Sequence, residues 1–461
     1  MPDFDLNIDK ILENWEPKHA VREIIANALD EAKITKTSLP KIEQRDGVWY
    51  VQDSGRGLKS DHFLQNESPE KRSFPGVIGK FGIGLKDALA VLERHGVVVT
   101  IFTRDADITL TRKPKSDFEE LPSLHAKFSE KPSYSTLPGT CVCLQKIKDA
   151  DVLGAKALFT AYLDQKPLEA TKYGEIYRKN GLGKIYVNGV QVNEEENFLF
   201  SYNITHLDAK LSKAMNRERQ NLGRTAYTDL VKRILLESKS LVVATSLGEN
   251  LQKIEHGEAC EEMKWIDVQA HSVKILNSEK TTFITSEEAR SRPDLIDAIQ
   301  DASKNIIIIP TALREKVSGL ADLKGEQIVT LDRFIQEYNE SFEYEIIPEE
   351  LLTQSEKSVW DQRARILEIV GGIPRSVRGI YIAKQITKPS YQTIGITRGV
   401  WDPRESKIYL LRETLASLPT FAGVLLHEAI HAKHGIGDVH RGFENLLTQY
   451  LGVAAAKCLQ K

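Results

Sequence analysis

A glycine-dense segment near the start of the chain constrains its fold more than any other feature. It reads GVIGKFGIGLKDAL from Gly76, and its four glycines come directly before an apolar helical stretch. Glycines at such a place free backbone N–H groups to surround a phosphate, and a helix N-terminus favours negative charge. The spacing matches neither the G-x-x-x-x-G-K-[ST] loop nor the dinucleotide G-x-G-x-x-G pattern. We therefore expect a phosphate site, but not one that belongs to a P-loop or to a Rossmann fold.

Length and composition set the broad class of protein. The chain has 461 residues, which favours roughly three domains rather than one core. Hydrophobic residues make up 41% of the sequence and charged residues 28%, which argues against wholesale disorder. The formal net charge of −3 speaks against a dedicated nucleic-acid binder.

Targeting and cysteine signals favour a reducing compartment. No apolar run approaches the ~20 residues that a membrane span needs. The N-terminal stretch MPDFDLNIDK is acidic and lacks the pattern of a signal peptide. Four cysteines occur and none forms a C-x-x-C pair, so a disulfide framework or thiolate zinc site is not expected. We expect a cytoplasmic protein without a membrane segment.

Strand and helix patterns predict an α+β multidomain chain with four segments, residues 1–150, 151–270, 271–350 and 351–461. The first segment combines a helix from Pro17 to Lys33 with two strands that meet at an Asp-Gly turn at 46–47. The second carries a hairpin around Asn188-Gly189 and a long basic helical stretch from about Asp208 to Ser238.

The other two segments have simpler patterns. The third reads as strand, helix and strand, which indicates a small α/β linker module. The fourth reads as a helix, then strands, then two closing helices.

One helix face in the first segment carries three polar side chains. In AVREIIANALDEA the apolar residues follow helical spacing, while Glu23, Asn27 and Asp30 share another face at i, i+4 and i+7. Such a face by itself is typical of a solvated helix surface. It gains meaning only from the motifs that follow it along the chain.

A second polar motif follows the strand VWYVQ. The stretch DSGRGL places Asp53 at the strand end and Gly55 and Gly57 just after it. A carboxylate there can accept a hydrogen bond from an exocyclic amine, and the glycines let backbone approach a flat ring. These features predict a pocket for a base next to a phosphate cradle.

In this order, the motifs resemble those of the GHKL superfamily of Bergerat-fold ATPases, which contains gyrase, a heat-shock chaperone, MutL, MORC proteins and histidine kinases. The resemblance implies an α/β-sandwich domain that binds ATP and Mg²⁺. It makes Glu23 the general base that activates water, Asn27 the Mg²⁺ ligand and Asp30 a neighbouring polar residue. Histidine kinases lack the helix carboxylate, so Glu23 favours hydrolysis of ATP.

The same resemblance assigns the nucleotide contacts. Asp53 becomes the carboxylate that reads adenine, with Gly55 and Gly57 beside it, and Thr140 of GTCVCL lies next to the adenine. The mobile lid over the phosphates comprises four residues: Gly79, Lys80, Gly82 and Gly84.

The resemblance extends into the second segment, which it makes a transducer-like domain. In related proteins this domain supplies a basic residue to the γ-phosphate. The stretch MNRERQNLGR is similar to the chaperone's arginine loop and places Arg217 at the matching position, with Arg219 and Arg224 as alternatives. A solvated basic helix face accounts for the same residues. The family also implies a homodimer formed through the ATPase domain.

The second strong motif, VLLHEAIHAKHG, lies near the C-terminus. His427 and His431 stand four residues apart, so on a helix both imidazoles project from one face and can share an ion ~2.1 Å from each nitrogen. Glu428 lies between them, placed to take a proton from metal-bound water. H-E-x-x-H also occurs by chance on soluble helices.

A catalytic zinc site needs a third protein ligand. His434 lies ~10 Å along the helix axis from His427, which is too far for a shared ion. The next helix offers Glu444, and this arrangement resembles the gluzincin type of zincin-like metallopeptidase. Asp438 and His440 are the alternatives. The segment departs from the metzincin pattern, because position 437 is Gly rather than His.

Two further features stay open on sequence grounds. The strand SKIYLL before the helix is either an edge strand that pairs with an extended substrate or an ordinary core strand. Arg412 and His440 are both candidates to stabilise an oxyanion, and the sequence does not rank them.

These features predict an ATP-hydrolysing protein whose nucleotide state regulates a C-terminal zinc-dependent protease. The expected cofactors are ATP, Mg²⁺ and Zn²⁺, and the expected partner is a protein substrate. The rival hypothesis is an ATP-driven dimeric clamp that binds protein or nucleic acid and carries a structural or inactive metal site. The net charge speaks against avid DNA binding, and a purely structural site has no need of Glu428.

Overall fold

Helices and sheets follow one another along the chain and make a multidomain α+β protein. The computed structural model describes residues 3–6, 12–64, 71, 74, 76–79, 84–115, 118–129, 132–215, 222–254, 257–277, 280–293, 296, 299–300, 304–340, 343–387, 398–436 and 441–459. Every structural statement below refers to these residues. The chain divides into two compact units, Met1–Ser240 with Cys260–Glu262, and Leu241–Ala259 with Met263–Lys461.

The first unit begins with a seven-stranded antiparallel sheet in the order β1-β6-β5-β4-β7-β3-β2. Its strands are β1 (Asp3–Asp5), β2 (Lys41–Arg45), β3 (Val48–Gln52), β4 (Val98–Thr103), β5 (Asp107–Lys115), β6 (Phe118–Phe128) and β7 (Thr140–Gln145). The turn between β2 and β3 has positive φ at both Asp46 and Gly47, which confirms the predicted hairpin. Strand β7 lies between β4 and β3, so it brings Thr140 to the end of β3.

Four helices accompany this sheet: α1 (Pro17–Thr35), α2 (Asp61–Leu64), α3 (Gly84–Arg94) and α4 (Asp149–Lys156). Helix α1 starts with Pro17 in its first turn and ends at Lys36, whose backbone is left-handed. The apolar sides of α1 and α3 are buried with those of the sheet, as Val21, Ile25 and Leu89 show. This burial fixes the polar face of α1 with Glu23, Asn27 and Asp30.

The second sheet of this unit has the order β11-β10-β12-β9-β8. Its strands are β8 (Glu169–Ala170), β9 (Gly174–Arg178), β10 (Gly183–Val187), β11 (Val190–Glu195) and β12 (Phe200–Ile204). Strands β10 and β11 form the predicted hairpin, and Asn188 and Gly189 both have positive φ in its turn.

The predicted long helix from Asp208 to Ser238 is wrong. The structure has two helices there, α5 (Ala209–Ala214) and α6 (Thr228–Glu237), and residues 216–221 lie outside the described residues. Helix α5 ends at its C-cap residue Met215, whose backbone is extended, and hydrogen bonds from the side chains of Arg224 and Tyr227 to the buried carboxylate of Glu195 connect the start of α6 to β11.

The second unit contains two sheets. The first is a parallel pair, β13 (Thr281–Ile284) and β14 (Asn305–Ile308), as the strand–helix–strand pattern predicted. Its helices are α7 (Leu241–Leu251), α8 (Ile266–Leu276), α9 (Ser286–Ser291), α10 (Thr311–Val317) and α11 (Leu331–Glu340). Helix α8 spans the predicted boundary at residue 270, so that boundary falls inside an element.

The last sheet has the order β15-β16-β18-β17, with strands β15 (Glu343–Ile347), β16 (Gly379–Thr387), β17 (Gly399–Asp402) and β18 (Lys407–Leu411). Its helices are α12 (Gln354–Trp360), α13 (Arg363–Leu367), α14 (Leu418–His434) and α15 (Arg441–Leu459). Strand β15 precedes residue 350, so this sheet starts earlier than the predicted segment. The SKIYLL strand, β18, is flanked on both sides and is therefore a core strand, and β17 forms the edge.

Within the described ranges, helices long and apolar enough to cross a bilayer do not occur.

Candidate functional site

Asp53 lies at the end of β3 and is buried, with 5% of its surface exposed. Its Oδ1 accepts hydrogen bonds from the backbone N–H of Gly55 at 2.8 Å and of Thr140 at 3.3 Å. Burial raises the pKa of Asp53 to about 6, and these two hydrogen bonds oppose the rise. Both bonds fall on Oδ1, and among the described residues Oδ2 is left as an acceptor for a donor brought by a ligand.

The backbone around Asp53 is packed too closely for side chains. Gly139 has a φ of +76°, and a Cβ there would lie 2.4 Å from both the carbonyl oxygen and Oδ1 of Asp53. Gly57 is also left-handed, with a φ of +85°, and faces the carbonyl oxygen of Gly139. The glycines of DSGRGL and GTCVCL therefore allow two backbone segments to meet beside the carboxylate.

Glu31 fastens the DSGRGL turn to α1. It accepts hydrogen bonds from the backbone N–H of Arg56 at 2.9 Å and from the Arg56 guanidinium at 2.9 Å and 3.1 Å. A Cβ on Gly55 would collide with the Glu31 side chain at 2.2 Å. The sequence pattern does not predict this contact, because the two residues are 25 positions apart and only packing brings them together.

Glu23 is held by its neighbour in sequence. Arg22 is 1% exposed, and its Nε and Nη2 donate to Glu23 Oε1 at 3.2 Å and 2.9 Å. The other carboxylate oxygen, Oε2, lies against the first residue of α3, because a Cβ on Gly84 would be 2.8 Å from it. The carboxylate thus points at the N-terminus of α3, where backbone N–H groups favour negative charge.

Asp30 binds the glycine-rich segment itself. This carboxylate is 1% exposed and accepts the backbone N–H groups of Ile78 at 2.5 Å and Gly79 at 2.7 Å. Asn27 Oδ1 accepts from Lys71 Nζ at 2.9 Å. The polar face of α1 therefore anchors the segment that the sequence predicts to be a phosphate cradle.

Two more side chains fix the same segment. Lys33 Nζ donates to the carbonyl oxygen of Gly76 at 2.7 Å, and Asn188 Nδ2 donates to that of Val77 at 3.3 Å. Asn188 comes from the β10–β11 hairpin of the second sheet. A cavity of about 290 Å³ lies here between the hairpin and α1.

The structure brings together some of the predicted residues of this site and not others. The structure brings together the side chains of Glu23, Asn27 and Asp30 with the glycine-rich segment, and Asp53 with Thr140. Lys80, Gly82, Arg217 and Arg219 lie outside the described residues. Arg224 is engaged elsewhere, since its guanidinium pairs with Glu195 and with Glu261 at 3.3 Å.

The histidine pair lies on α14, whose opposite side is buried by Phe421 and Leu425. The Nε2 atoms of His427 and His431 are 3.0 Å apart. His431 Nδ1 faces the carbonyl oxygen of Ile436, which can only accept, so this nitrogen is the donor. His431 therefore presents the Nε2 lone pair toward His427, as a metal-binding imidazole does.

Glu428 lies beside the edge strand. Its side chain is buried, and Oε2 accepts the backbone N–H of Trp401 on β17 at 2.8 Å. A Cβ on Gly399 would lie 2.9 Å from Glu428 Cγ, so only glycine permits this approach. The carboxylate of the H-E-x-x-H motif is thus held beside β17, the outermost strand of this sheet among the residues that the structure describes.

Phe443, not Glu444, faces the two histidines. Its ring stacks on that of His431 at 4.1 Å with an interplanar angle of 4°, and Glu444 is exposed. In the part of the chain that the structure describes, no three His, Cys, Asp or Glu side chains are grouped to hold a metal ion. The alternative ligands Asp438 and His440 lie outside that part.

Arg412 is occupied by a second carboxylate. Its guanidinium donates to Glu356 at 2.8 Å and 2.9 Å, and these hydrogen bonds lower the pKa of Glu356 to about 2. The pair connects the start of α12 to the end of β18. Of the two oxyanion candidates, Arg412 therefore has a structural partner, and His440 lies outside the described residues.

Comparisons with known proteins give relatives in one organism. Residues 150–241 match the family of the Mycoplasma pneumoniae MPN635 N-terminal domain. An uncharacterized protein of Mycoplasma pneumoniae is 40% identical over 244 residues, which cover 51% of this chain and 97% of that protein. A second uncharacterized protein of the same bacterium is 24% identical over 337 residues, covering 67% of this chain and 93% of its own length. The first of these relatives is matched over nearly its whole length, so the chain belongs to the same family as that Mycoplasma pneumoniae protein.

Proposed function

We propose that the chain binds and hydrolyses ATP in its first unit and that its nucleotide state regulates a zinc-dependent protease in the second. The observation that carries the ATP site is the buried carboxylate of Asp53. One oxygen of a buried carboxylate is held by two backbone N–H groups, and the other remains an acceptor beside the glycine backbone. An adenine amine is a donor of the kind this acceptor requires.

The polar residues of this unit fit the rest of a nucleotide. Asn27 offers an amide oxygen, the type of ligand that Mg²⁺ takes, and the glycine-rich segment is anchored next to it by Asp30. Bound Mg²⁺ would neutralise phosphate charge. Glu23 would accept a proton from the attacking water, and Arg22 keeps its carboxylate oriented toward α3.

The test of this site separates binding from hydrolysis. Glu23→Gln should bind ATP with near wild-type affinity and lower the hydrolysis rate by about 10²–10⁴-fold, because the water loses its base. The amide oxygen of Gln still accepts from Arg22, but the buried guanidinium loses its negative partner, so this variant should also be less stable than wild type. Glu23→Ala should show the same split with lower stability. Calorimetry with ATP and Mg²⁺ measures binding, and phosphate release measures turnover.

The control is Glu13→Gln, at an exposed glutamate of the same unit. It should leave both measurements unchanged. Wild-type protein that binds no ATP would remove the proposal, and Glu23→Gln turnover within a few-fold of wild type would remove the role of Glu23.

The peptidase half of the proposal rests on α14. The His427 and His431 nitrogens converge, and the second nitrogen of His431 faces a carbonyl oxygen, so the helix offers two of the three protein ligands that a catalytic zinc site needs. Bound Zn²⁺ would supply a Lewis acid there. Glu428 would hold the proton taken from water, and β17 would pair with an extended substrate next to it. Glu444, the third ligand that the resemblance implies, would reach this site only if α15 turned from the position in which Phe443 contacts the histidines.

A specific observation favours the second candidate, a nucleotide-driven dimeric clamp with a structural or inactive metal site. Phe443 is buried and covers the histidine pair, in the place where a third ligand is required. Two measurements together distinguish the protease from the clamp: the number of zinc ions bound per chain and the salt dependence of DNA binding. A steep salt dependence would favour the clamp, and cleavage of an unfolded protein that Glu428→Gln abolishes would favour the protease.

A further inference from the structure

The ammonium group of Lys71 lies on the polar face of α1. Its Nζ is 2.9 Å from Asn27 Oδ1 and 3.5 Å from Asp30 Oδ2. The Lys71 side chain is 20% exposed, so it is largely withdrawn from solvent. The ammonium group thus contacts one neutral oxygen, that of Asn27, and one charged oxygen, that of Asp30, next to the glycine-rich segment.

The surroundings explain why a cation is stable there. Asp30 is buried, and its two backbone hydrogen bonds leave a full negative charge in a region of low dielectric constant. A buried carboxylate of this kind needs a compensating positive charge nearby. Lys71 supplies it and uses the amide oxygen of Asn27 as its second acceptor.

We propose that Lys71 is a tethered competitor of Mg²⁺ for the oxygen of Asn27. This inference rests on the proposed ATP site, in which Asn27 is the metal ligand. Mg²⁺ binds oxygen at about 2.1 Å and demands near-octahedral geometry. The Lys71 ammonium group lies 2.9 Å from the same oxygen. If Mg²⁺ bound there as well, two cations would lie only a few ångströms apart and would repel each other.

The competition has a measurable consequence. Lys71 must leave Asn27 before the metal can bind, so the binding-competent form is only a fraction of the protein. The apparent affinity for the metal is reduced by that fraction. Removal of the ammonium group therefore lowers the Mg²⁺ concentration that nucleotide binding requires.

The test uses two variants of the full chain, Lys71→Gln and Lys71→Met. Gln keeps a donor for Asn27 without the charge, and Met keeps the apolar stem. Lys127→Gln is the matched control, because it removes the charge of an exposed lysine on β6 of the same unit, a strand that contributes no residue to the proposed site. The measurement is the Mg²⁺ concentration at half-saturation for binding of a methylanthraniloyl ATP analogue, followed by fluorescence. Unfolding midpoints in EDTA show that each variant is folded.

We expect both Lys71 variants to lower the half-saturating Mg²⁺ concentration about fivefold or more, with the control within twofold of wild type. An unchanged or higher value in the folded variants would overturn the proposal, and a higher value would indicate that Lys71 assists nucleotide binding. An equal shift in Lys127→Gln would also overturn it, because the shift would then be a general charge effect. Wild-type protein that binds the analogue at no Mg²⁺ concentration would instead remove the ATP site itself.

Discussion

At the residue scale, Asp53 combines a proposed role in binding with a cost in stability. Its folded pKa of about 6 lies above the ordinary value of 3.8, because burial penalises the charged form. The folded protein therefore holds this proton more tightly than the unfolded chain does. The contribution of Asp53 to the free energy of unfolding falls as the pH rises from about 4 to about 6, by about 3 kcal/mol in total.

Asp53→Asn should therefore stabilise the protein in the absence of ligand and weaken ATP binding. We expect the free energy of unfolding to rise by about 1–3 kcal/mol at pH 8, with the gain shrinking toward pH 4. ATP affinity should fall by about tenfold or more, because an amide nitrogen replaces the acceptor Oδ2. Urea unfolding from pH 4.5 to pH 8 and calorimetry with ATP measure the two effects.

The control is Asp46→Asn, which makes the same charge change at an exposed turn residue. It should show no comparable pH dependence. A stability difference between Asp53→Asn and wild type that stays constant over this range would contradict the assigned cause.

At the element scale, the glycine at the start of β7 determines how closely two backbone segments meet. Gly139 and Gly96 have nearly the same backbone conformation, with φ of +76° and +74°. They differ in space, because a Cβ on Gly96 would meet nothing within 4 Å, whereas one on Gly139 would collide with Asp53. Comparing substitutions at Gly96 and Gly139 therefore separates the free-energy cost of a left-handed backbone from the free-energy cost of a steric collision.

Gly96→Ala should lower the free energy of unfolding by about 1 kcal/mol, the cost of the backbone conformation. Gly139→Ala should lower it by about 2–4 kcal/mol, because overpacking adds to that cost. ATP binding should be lost only in Gly139→Ala, since the collision displaces the Asp53 carboxylate. Equal destabilisation of the two variants in urea would show that the close approach does not exist in solution.

At the scale of the whole molecule, the two proposed sites lie in different units of one chain. A ligand in one unit can change activity in the other only if it binds two states of the chain with different affinity. Contacts of ATP with both Asp53 and a basic residue such as Arg217 would supply that difference.

We expect Glu428→Gln to abolish protein cleavage and leave ATP turnover near wild type, because the change lies outside the first unit. The hydrolysis-deficient Glu23→Ala protein should be locked in one peptidase state with ATP bound. Cleavage of an unfolded protein, with and without a non-hydrolysable ATP analogue, measures both effects. Glu350→Gln, at an exposed glutamate of the second unit, is the control. Identical cleavage rates in all nucleotide states would show two independent activities.

The sequence by itself determined the features that depend on neighbours along the chain. Asp46-Gly47 and Asn188-Gly189 predicted two hairpins, because these pairs tolerate the positive φ that such turns require. Helical spacing placed Glu23, Asn27 and Asp30 on one face of α1 and put His427 beside His431, since residues four apart share a helix face.

Only the tertiary structure decided which distant residues meet these faces. Thr140 reaches Asp53 because β7 pairs with β3, and Lys71 reaches Asn27 across 44 positions. Phe443 rather than Glu444 faces the histidines because the burial of α15 selects which of its sides is turned inward. Such contacts depend on the packing of whole elements, and a spacing pattern along the chain carries no information about that packing.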